Sequence, residues 1–165
     1  MNRLQTFHEA LIPMLVEAVG ARTYLELGTG SNETIARVRC ERRIGVDANW
    51  VQCPGVTQFC MTTDKFIAEH AATHAPYDFC FMDASHRAEQ VQKDFEGIWP
   101  LISPEGMLLI HDVQPETIAD TDPGFCGDAW KFAKELRELG YESLVLNYHP
   151  GILLVRKRTT WGPIA

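Results

Sequence analysis

The chain has 165 residues and a formal net charge of −7, from 22 acidic and 15 basic side chains, with 45% hydrophobic and 22% charged content. That length suits one domain, which can bury roughly two thirds of its unfolded surface without a disulfide or metal staple. The acidic balance argues against phosphate-backbone binding as the main task, because that affinity comes from clustered Lys and Arg.

Residues 6–19 carry a helical pattern, with Phe7, Leu11, Met14, Leu15 and Ala18 along one side and Thr6-x-x-Glu9 as a capping box. Pro13 inside that pattern predicts a kink or a restart, and Gly20 closes the segment. Residues 24–27 read as a buried strand running through a turn at Gly28 and Gly30 into a helix that starts near Ser31. Further strands are predicted over 43–47, 56–60 and 77–83, with a helix beginning at Thr62-Thr63 between the last two. His70 and His74 on that helix read as partly buried or surface residues. Val91, Phe95, Ile98, Trp99 and Ile102 mark the next helix, stopped by Ser103-Pro-Glu-Gly106. A strand over 107–110 ends in His111-Asp112, and a long Pro-, Asp- and Gly-rich loop over 113–127 follows as a candidate lid or substrate loop. A helix from Asp128 packs through Phe132, Leu136 and Leu139 to Gly140. Strands over 144–147 and 152–155 flank a connection too short for a parallel crossover, so they pair antiparallel.

This alternation predicts an α/β fold: a doubly wound, mostly parallel seven-stranded sheet with helices on both faces and an antiparallel last strand. It occupies residues 1–158 as a single domain, with a loose tail over 159–165. Strand interiors are apolar while their exits carry Glu26 and Gly28, Asp47, Met61-Thr62, Asp83, and His111-Asp112. In such sheets ligands bind outside the carboxyl ends of the strands, so the pattern points to one shared site.

The glycine turn lets a backbone pass close beneath a ligand, and a helix N-terminus after it would offer unpaired N–H groups to an anion. A dinucleotide fingerprint needs a third glycine at position 33, where this chain has Glu33, a carboxylate that would repel a pyrophosphate. Glu26 suits a ligand that carries positive charge as well as a carboxylate, and S-adenosylmethionine has both. Read alone, the two glycines also fit a tight turn with no ligand. Asp47 and Asp83 are expected at the cofactor, because an unpaired carboxylate at a buried strand end is costly unless something binds it.

Five cysteines, at 40, 53, 60, 80 and 126, show no C-x-x-C and no metal-type spacing with histidine. Cys60 and Cys80 read as buried hydrophobes, and unpatterned thiols favour a reducing cytosol. No apolar run approaches a membrane span and the first residues do not form a signal-peptide core, so a cytoplasmic protein is expected.

On these residues the chain resembles class I S-adenosylmethionine-dependent methyltransferases from about Leu11 to Lys157. It is most similar to small O-methyltransferases with D-x-D-H after the fourth strand, a later Asp, a P-x-G-G turn and a fifth strand ending in H-D. Those motifs read Asp83-Ala-Ser-His86, Asp94, Pro104-Glu-Gly106 and His111-Asp112 here. The resemblance implies that Glu26, Gly28, Thr29, Gly30 and Asn32 hold the methionyl end and that Asp47 and Ala48 meet the ribose. It likewise implies that Met61, Thr62 and Thr63 border the adenine and that Asp83 lies beneath the sulfonium. Three positions depart from the pattern: Asn32 stands for a glycine, Ser85 for the second Asp, and Ala88 for an aromatic residue.

Methyl transfer to a hydroxyl needs in-line positioning and removal of the hydroxyl proton. Candidate catalytic residues are Asp83, His86, His111 and Asp112. Either His86 or His111 is the base, or Asp83, His111 and Asp112 hold Mg²⁺ or another divalent cation that lowers the hydroxyl's pKa. The expected partner is a small-molecule or sugar-type acceptor. No nucleic acid or membrane partner is expected, and homo-oligomerisation stays open. The alternative functions are a catalytically silent S-adenosylmethionine-binding module or subunit and a nicotinamide-dependent oxidoreductase.

Overall fold

A computed structural model describes residues 6–158, so the tail expected over 159–165 lies outside the described residues. Strands β1 (Thr23–Leu27), β2 (Arg42–Asp47), β3 (Thr57–Cys60), β4 (Tyr77–Met82) and β5 (Ile102–His111) run parallel. β6 (Ser143–Leu146) and β7 (Ile152–Arg156) complete a seven-stranded sheet of order β3-β2-β1-β4-β5-β7-β6, with β7 antiparallel to both β5 and β6. The predicted doubly wound sheet is therefore present. Its order reverses between β1 and β4, which is where such sheets open a crevice at their carboxyl edge.

Alternation along the strands divides the core in two. Leu25, Leu27, Cys80 and Leu108 face one side, where helices α4 (Ala88–Ile98) and α5 (Ala129–Glu138) contribute Val91, Phe95, Phe132 and Leu136. On the same side, α2 (Thr63–Phe66) continues through a π-helical turn, Ile67–Ala71, into α3 (Ala72–His74). Tyr24, Phe79, Phe81 and Leu109 face the other side, against helix α1 (Phe7–Ala18). Among the described residues no helix is long and apolar enough to cross a membrane.

Several local expectations are corrected. α1 runs through Pro13 without a restart, and it buries Ile12 and Val16, with Leu11 and Leu15 packed beside them, while Phe7 and Met14 are exposed. The Thr6 side chain caps nothing: its Oγ1 lies 3.2 Å from His8 Nε2, and Glu9 is buried instead, 3.7 Å from Arg37. The helix expected from Ser31 is a run of turns over 30–37. Asn32 breaks it with φ 66°, a left-handed conformation that cannot continue a right-handed helix. Ile102 does not end a helix but opens β5, whose register with β4 shifts across 103–106. Leu139 is exposed, and so is Cys60 on the outer strand β3, where no further strand covers it.

Candidate active site

Gly28 is where the centre of the sheet becomes a site. Its N–H donates to Val46 O and the Asp83 N–H donates to Leu27 O, both at 2.8 Å, which ties the exits of β1, β2 and β4 together. Gly28 has φ 86°, and a Cβ there would sit 2.3 Å from the Asp83 carbonyl oxygen. Only glycine permits both the turn and the approach.

Above these exits lies a cavity of about 590 Å³ lined by Glu26, Gly28, Thr29, Gly30, Asp47, Ala48, Met61, Thr62, Thr63 and Asp83. Every expected cofactor residue except Asn32 is there, and the volume suits a nucleoside-sized ligand. Asn32 instead lies buried outside the lining, donating from Nδ2 to Val51 O at 2.8 Å and so holding the loop after β2. Glu33 does line the cavity. Asp47 accepts from Gly30 N at 2.8 Å and Asn49 N at 2.7 Å, one bond per oxygen, so both oxygens keep lone pairs for ligand hydroxyls. Thr62 caps α2 by accepting from Lys65 N at 3.4 Å.

The far wall is braced by a residue that sequence reasoning missed. Gln90 Nε2 donates to Asp64 Oδ1 and Asp94 Oδ1 at 2.9 Å and to Thr63 Oγ1 at 3.3 Å, tying α4 to α2. Asp94, 2% exposed and pushed up in pKa by burial, is thereby a structural brace within the wall. Its heptad-like spacing from Gln90, i to i+4 on one helix, was the available signal.

Glu26 is 2% exposed and accepts a 2.5 Å hydrogen bond from the Tyr24 hydroxyl. Burial pushes its carboxyl well above the usual range, against the Tyr24 bond that favours the ion. Burial thus works against the anion, and a cation beside Glu26 would favour it. Glu26→Gln is expected to raise the melting temperature of the ligand-free protein while weakening a cationic ligand about tenfold. The folded pKa lies above the unfolded value of 4.5, so the unfolded chain loses its proton first and the wild type loses stability as pH rises past that point. The Gln variant's advantage should be absent below about pH 4.5 and grow above it, which melts across a pH series will show.

Beside this cavity the structure brings together all four candidate catalytic residues. His86 Nε2 lies 3.0 Å from Asp112 Oδ2, and His111 Nδ1 lies 3.0 Å from Asp83 Oδ1 and 3.4 Å from Asp112 Oδ1. Burial works against charge on His111, but hydrogen bonds to Asp112 and Asp83 override it and push its pKa up to about 10. Burial likewise opposes charge on Asp112, yet the two imidazoles hold it well below the usual carboxylate range. The bond to Asp112 raises His86 as well. His86 Nδ1 and His111 Nε2 are both buried without a hydrogen-bond partner.

Asp83, His86 and Asp112 each present a ligand atom within 4.8 Å of the others, and His111 Nδ1 lies beside them, 3.0 Å from Asp83 Oδ1. These residues line a second cavity of about 330 Å³ with Phe125, Cys126, His149 and Pro150. His149, exposed as expected of a surface residue, lies at its mouth.

Within loop 113–127, Phe125 and Cys126 line this cavity, and a short 3₁₀ turn, Ile118–Thr121, is closed by a Thr117–Asp120 capping box. The start of α5, just after it, clamps His86: Asp128 N and Ala129 N donate to His86 O at 2.8 and 3.1 Å. The departures from the motif have local roles. Ser85 Oγ accepts from Arg87 N at 3.3 Å, and Ala88 N donates to Asp128 Oδ1 at 2.7 Å, so Asp128 caps α4 from across the loop.

Solved structures share this architecture. An O-methyltransferase from Bacillus cereus in complex with S-adenosylhomocysteine aligns over 94% of this chain and 83% of its own, with TM-score 0.67 and 18% identity. MycE, a methyltransferase of the mycinamycin biosynthetic pathway in complex with Mg and S-adenosylhomocysteine, aligns over 87% of this chain and 47% of its own, with TM-score 0.65 and 18% identity. By sequence, demethylmacrocin O-methyltransferase of Streptomyces fradiae is 32% identical over 74 residues, which are 45% of this chain but only 18% of that longer protein. The family model described as "Methyltransferase domain" matches residues 20–113, from the loop before β1 to the exit of β5, and the chain therefore belongs to the methyltransferase domain family.

Proposed function

We propose that this protein transfers a methyl group from S-adenosylmethionine to a hydroxyl of a small-molecule or sugar-type acceptor. The observation that carries this reading is the meeting of two cavities at Asp83: the larger suits a nucleoside-bearing donor and the smaller, with its histidines and carboxylates, an acceptor. A two-substrate transfer needs that adjacency, because the attacking oxygen must lie in line with the bond being broken.

Glu26 and the Gly28 turn would hold the methionyl end, Asp47 the ribose, and Met61 to Thr63 the adenine. When bound, S-adenosylmethionine supplies an electrophilic methyl carbon. His86 takes the acceptor's proton, and its bond to Asp112 raises its basicity. Asp112 thereby orients the imidazole and stabilises it once protonated. His111, held charged between Asp83 and Asp112, keeps those carboxylates in place.

A second reading of the same cluster follows from its donor geometry. Asp83, His86 and Asp112 fit one divalent cation, and two carboxylates with one imidazole suit Mn²⁺ or Fe²⁺ better than Mg²⁺. A cation there would lower the pKa of the acceptor hydroxyl. The oxygen acceptor is supported by the relatives named above as O-methyltransferases. The chain's net charge of −7 speaks against nucleic acid as partner, and five free cysteines support a cytoplasmic setting for this one domain.

Calorimetric titration with S-adenosylhomocysteine tests the reading, with NADH as control ligand and with Mg²⁺ or Mn²⁺ present or absent. Micromolar binding is expected in the wild type and at least a thirtyfold loss in Asp47→Ala, about 2 kcal/mol for two hydroxyl bonds. Absence of binding to S-adenosylhomocysteine would sink the methyltransferase assignment.

A further inference from the structure

The donor cavity is one-sided in charge. Glu9, Glu26, Glu33, Asp47, Asp64 and Asp83 line it, and among the described residues no Lys or Arg does. That composition welcomes a sulfonium and an ammonium, but the proposed donor also carries a carboxylate, which needs a hydrogen-bond donor.

The glycine turn offers fewer amides for it than expected. Three of its N–H groups are committed within the protein: Gly28 to Val46 O at 2.8 Å, Gly30 to Asp47 Oδ2 at 2.8 Å and Asn32 to Thr29 O at 2.7 Å. With turns in place of the helix expected at Ser31, no array of free helix N-terminal amides faces the cavity. Thr29 lays its methyl group over Gly45.

The basic side chain that does line the cavity is His8, from the first turn of α1. Its ring packs 4.5 Å from His111, edge to face, and 5.8 Å from Phe81. Phe81 pairs in register with Glu26 across β4 and β1, so His8 stands over the exits of both strands, at the end where Glu26 waits for a cation. Its hydrogen-bond contact at Thr6 Oγ1, 3.2 Å away and two residues back in the chain, is local and readily exchanged.

We propose that His8 is the residue that binds the carboxylate of the methyl donor's amino-acid end, so that α1 straps the donor onto the sheet and selects ligands that carry that carboxylate. This assignment rests on the donor reading above. His8 would donate from its imidazole to the carboxylate while Glu26 takes the ammonium beside it, and the two together read the amino-acid group as a zwitterion.

The test compares S-adenosylhomocysteine with its decarboxylated analogue, which keeps the adenosine, the sulfur and the amine. Wild type should prefer the intact compound by about tenfold or more. His8→Ala should lose about tenfold in affinity for the intact compound and stay within about twofold for the analogue. His8→Gln, which keeps an N–H donor, should retain part of the preference. Equal losses for both compounds would make His8 a packing residue of α1 and overturn the proposal. So would an unchanged affinity in His8→Ala, or a wild type that binds both compounds alike. A wild type that binds neither compound overturns the donor reading itself, and the assignment of His8 with it.

Discussion

Gly28→Ala is expected to lower the melting temperature by about 10 °C and to abolish measurable S-adenosylhomocysteine binding. Two costs combine at this position. The backbone holds φ 86°, where an alanine is strained by about 1–3 kcal/mol. The added Cβ would also lie 2.3 Å from Asp83 O and 2.5 Å from Ala84 N, and backbone atoms locked into neighbouring strands cannot yield as a flexible side chain would. Together they amount to about 3–5 kcal/mol, which for a domain of this size is about 10 °C or slightly more. Relief would come only by parting β1 from β4, and that moves Asp83 away from Glu26 and Asp47. A thermal melt with calorimetry separates the two readouts. A variant as stable as wild type that still binds would mean that the strand exits are not as close as described.

Asp112→Ala is expected to cost about 3–5 kcal/mol, because it removes an anion shared by two imidazoles and leaves a buried cation partly uncompensated. Asp112 is 6% exposed and His111 8%, so water cannot replace the lost charge. The backbone adds a second effect, since Asp112 has φ 60°, a conformation that Asn tolerates far better than Ala. Asp112→Asn keeps the left-handed turn and one acceptor oxygen for His86, and it should cost about half as much as alanine. Its defect would then lie in chemistry: without the charge, His86 should be a weaker base and methyl transfer should fall by about a hundredfold or more. Chemical denaturation of both variants, with label transfer from the methyl donor, checks this. Equal stability losses in the two variants would refute the separate backbone contribution.

Much of the molecule was legible in the chain because its signals are local and repeated. Mostly apolar runs such as Tyr24 to Leu27 and Phe79 to Met82 are long enough to read as strands, the first carrying Glu26 near its exit and the second running into Asp83, so both the sheet and its carboxyl edge follow from pattern alone. The short connection before Ile152 similarly dictated the antiparallel end of the sheet. Glu26, Asp47 and Asp83 could be placed in one cavity without coordinates, since parallel strands put their exits side by side.

What failed was whatever depended on a partner distant in sequence. The helix after Gly30 has acceptable local propensity, but Asn32 finds the Val51 carbonyl 19 residues away and takes a left-handed turn to reach it. Likewise Glu9 reads as a helix cap until Arg37 draws near. Which histidine lies nearer to Asp83 and which to Asp112 turns on angstrom-scale placement of adjacent strand ends. No spacing rule encodes that.

The sequence by itself therefore determined the sheet, its strand-exit chemistry and the class of ligand that chemistry favours. Only the tertiary structure decided that the glycine turn commits three of its amides within the protein, that α1 carries His8 over the cavity, and that His86 and His111 meet different oxygens of Asp112. The physical reason is the same in each case. Periodicity records which side of an element is buried, whereas the partner of a hydrogen bond or the charge state of an imidazole depends on what other elements bring to it through space.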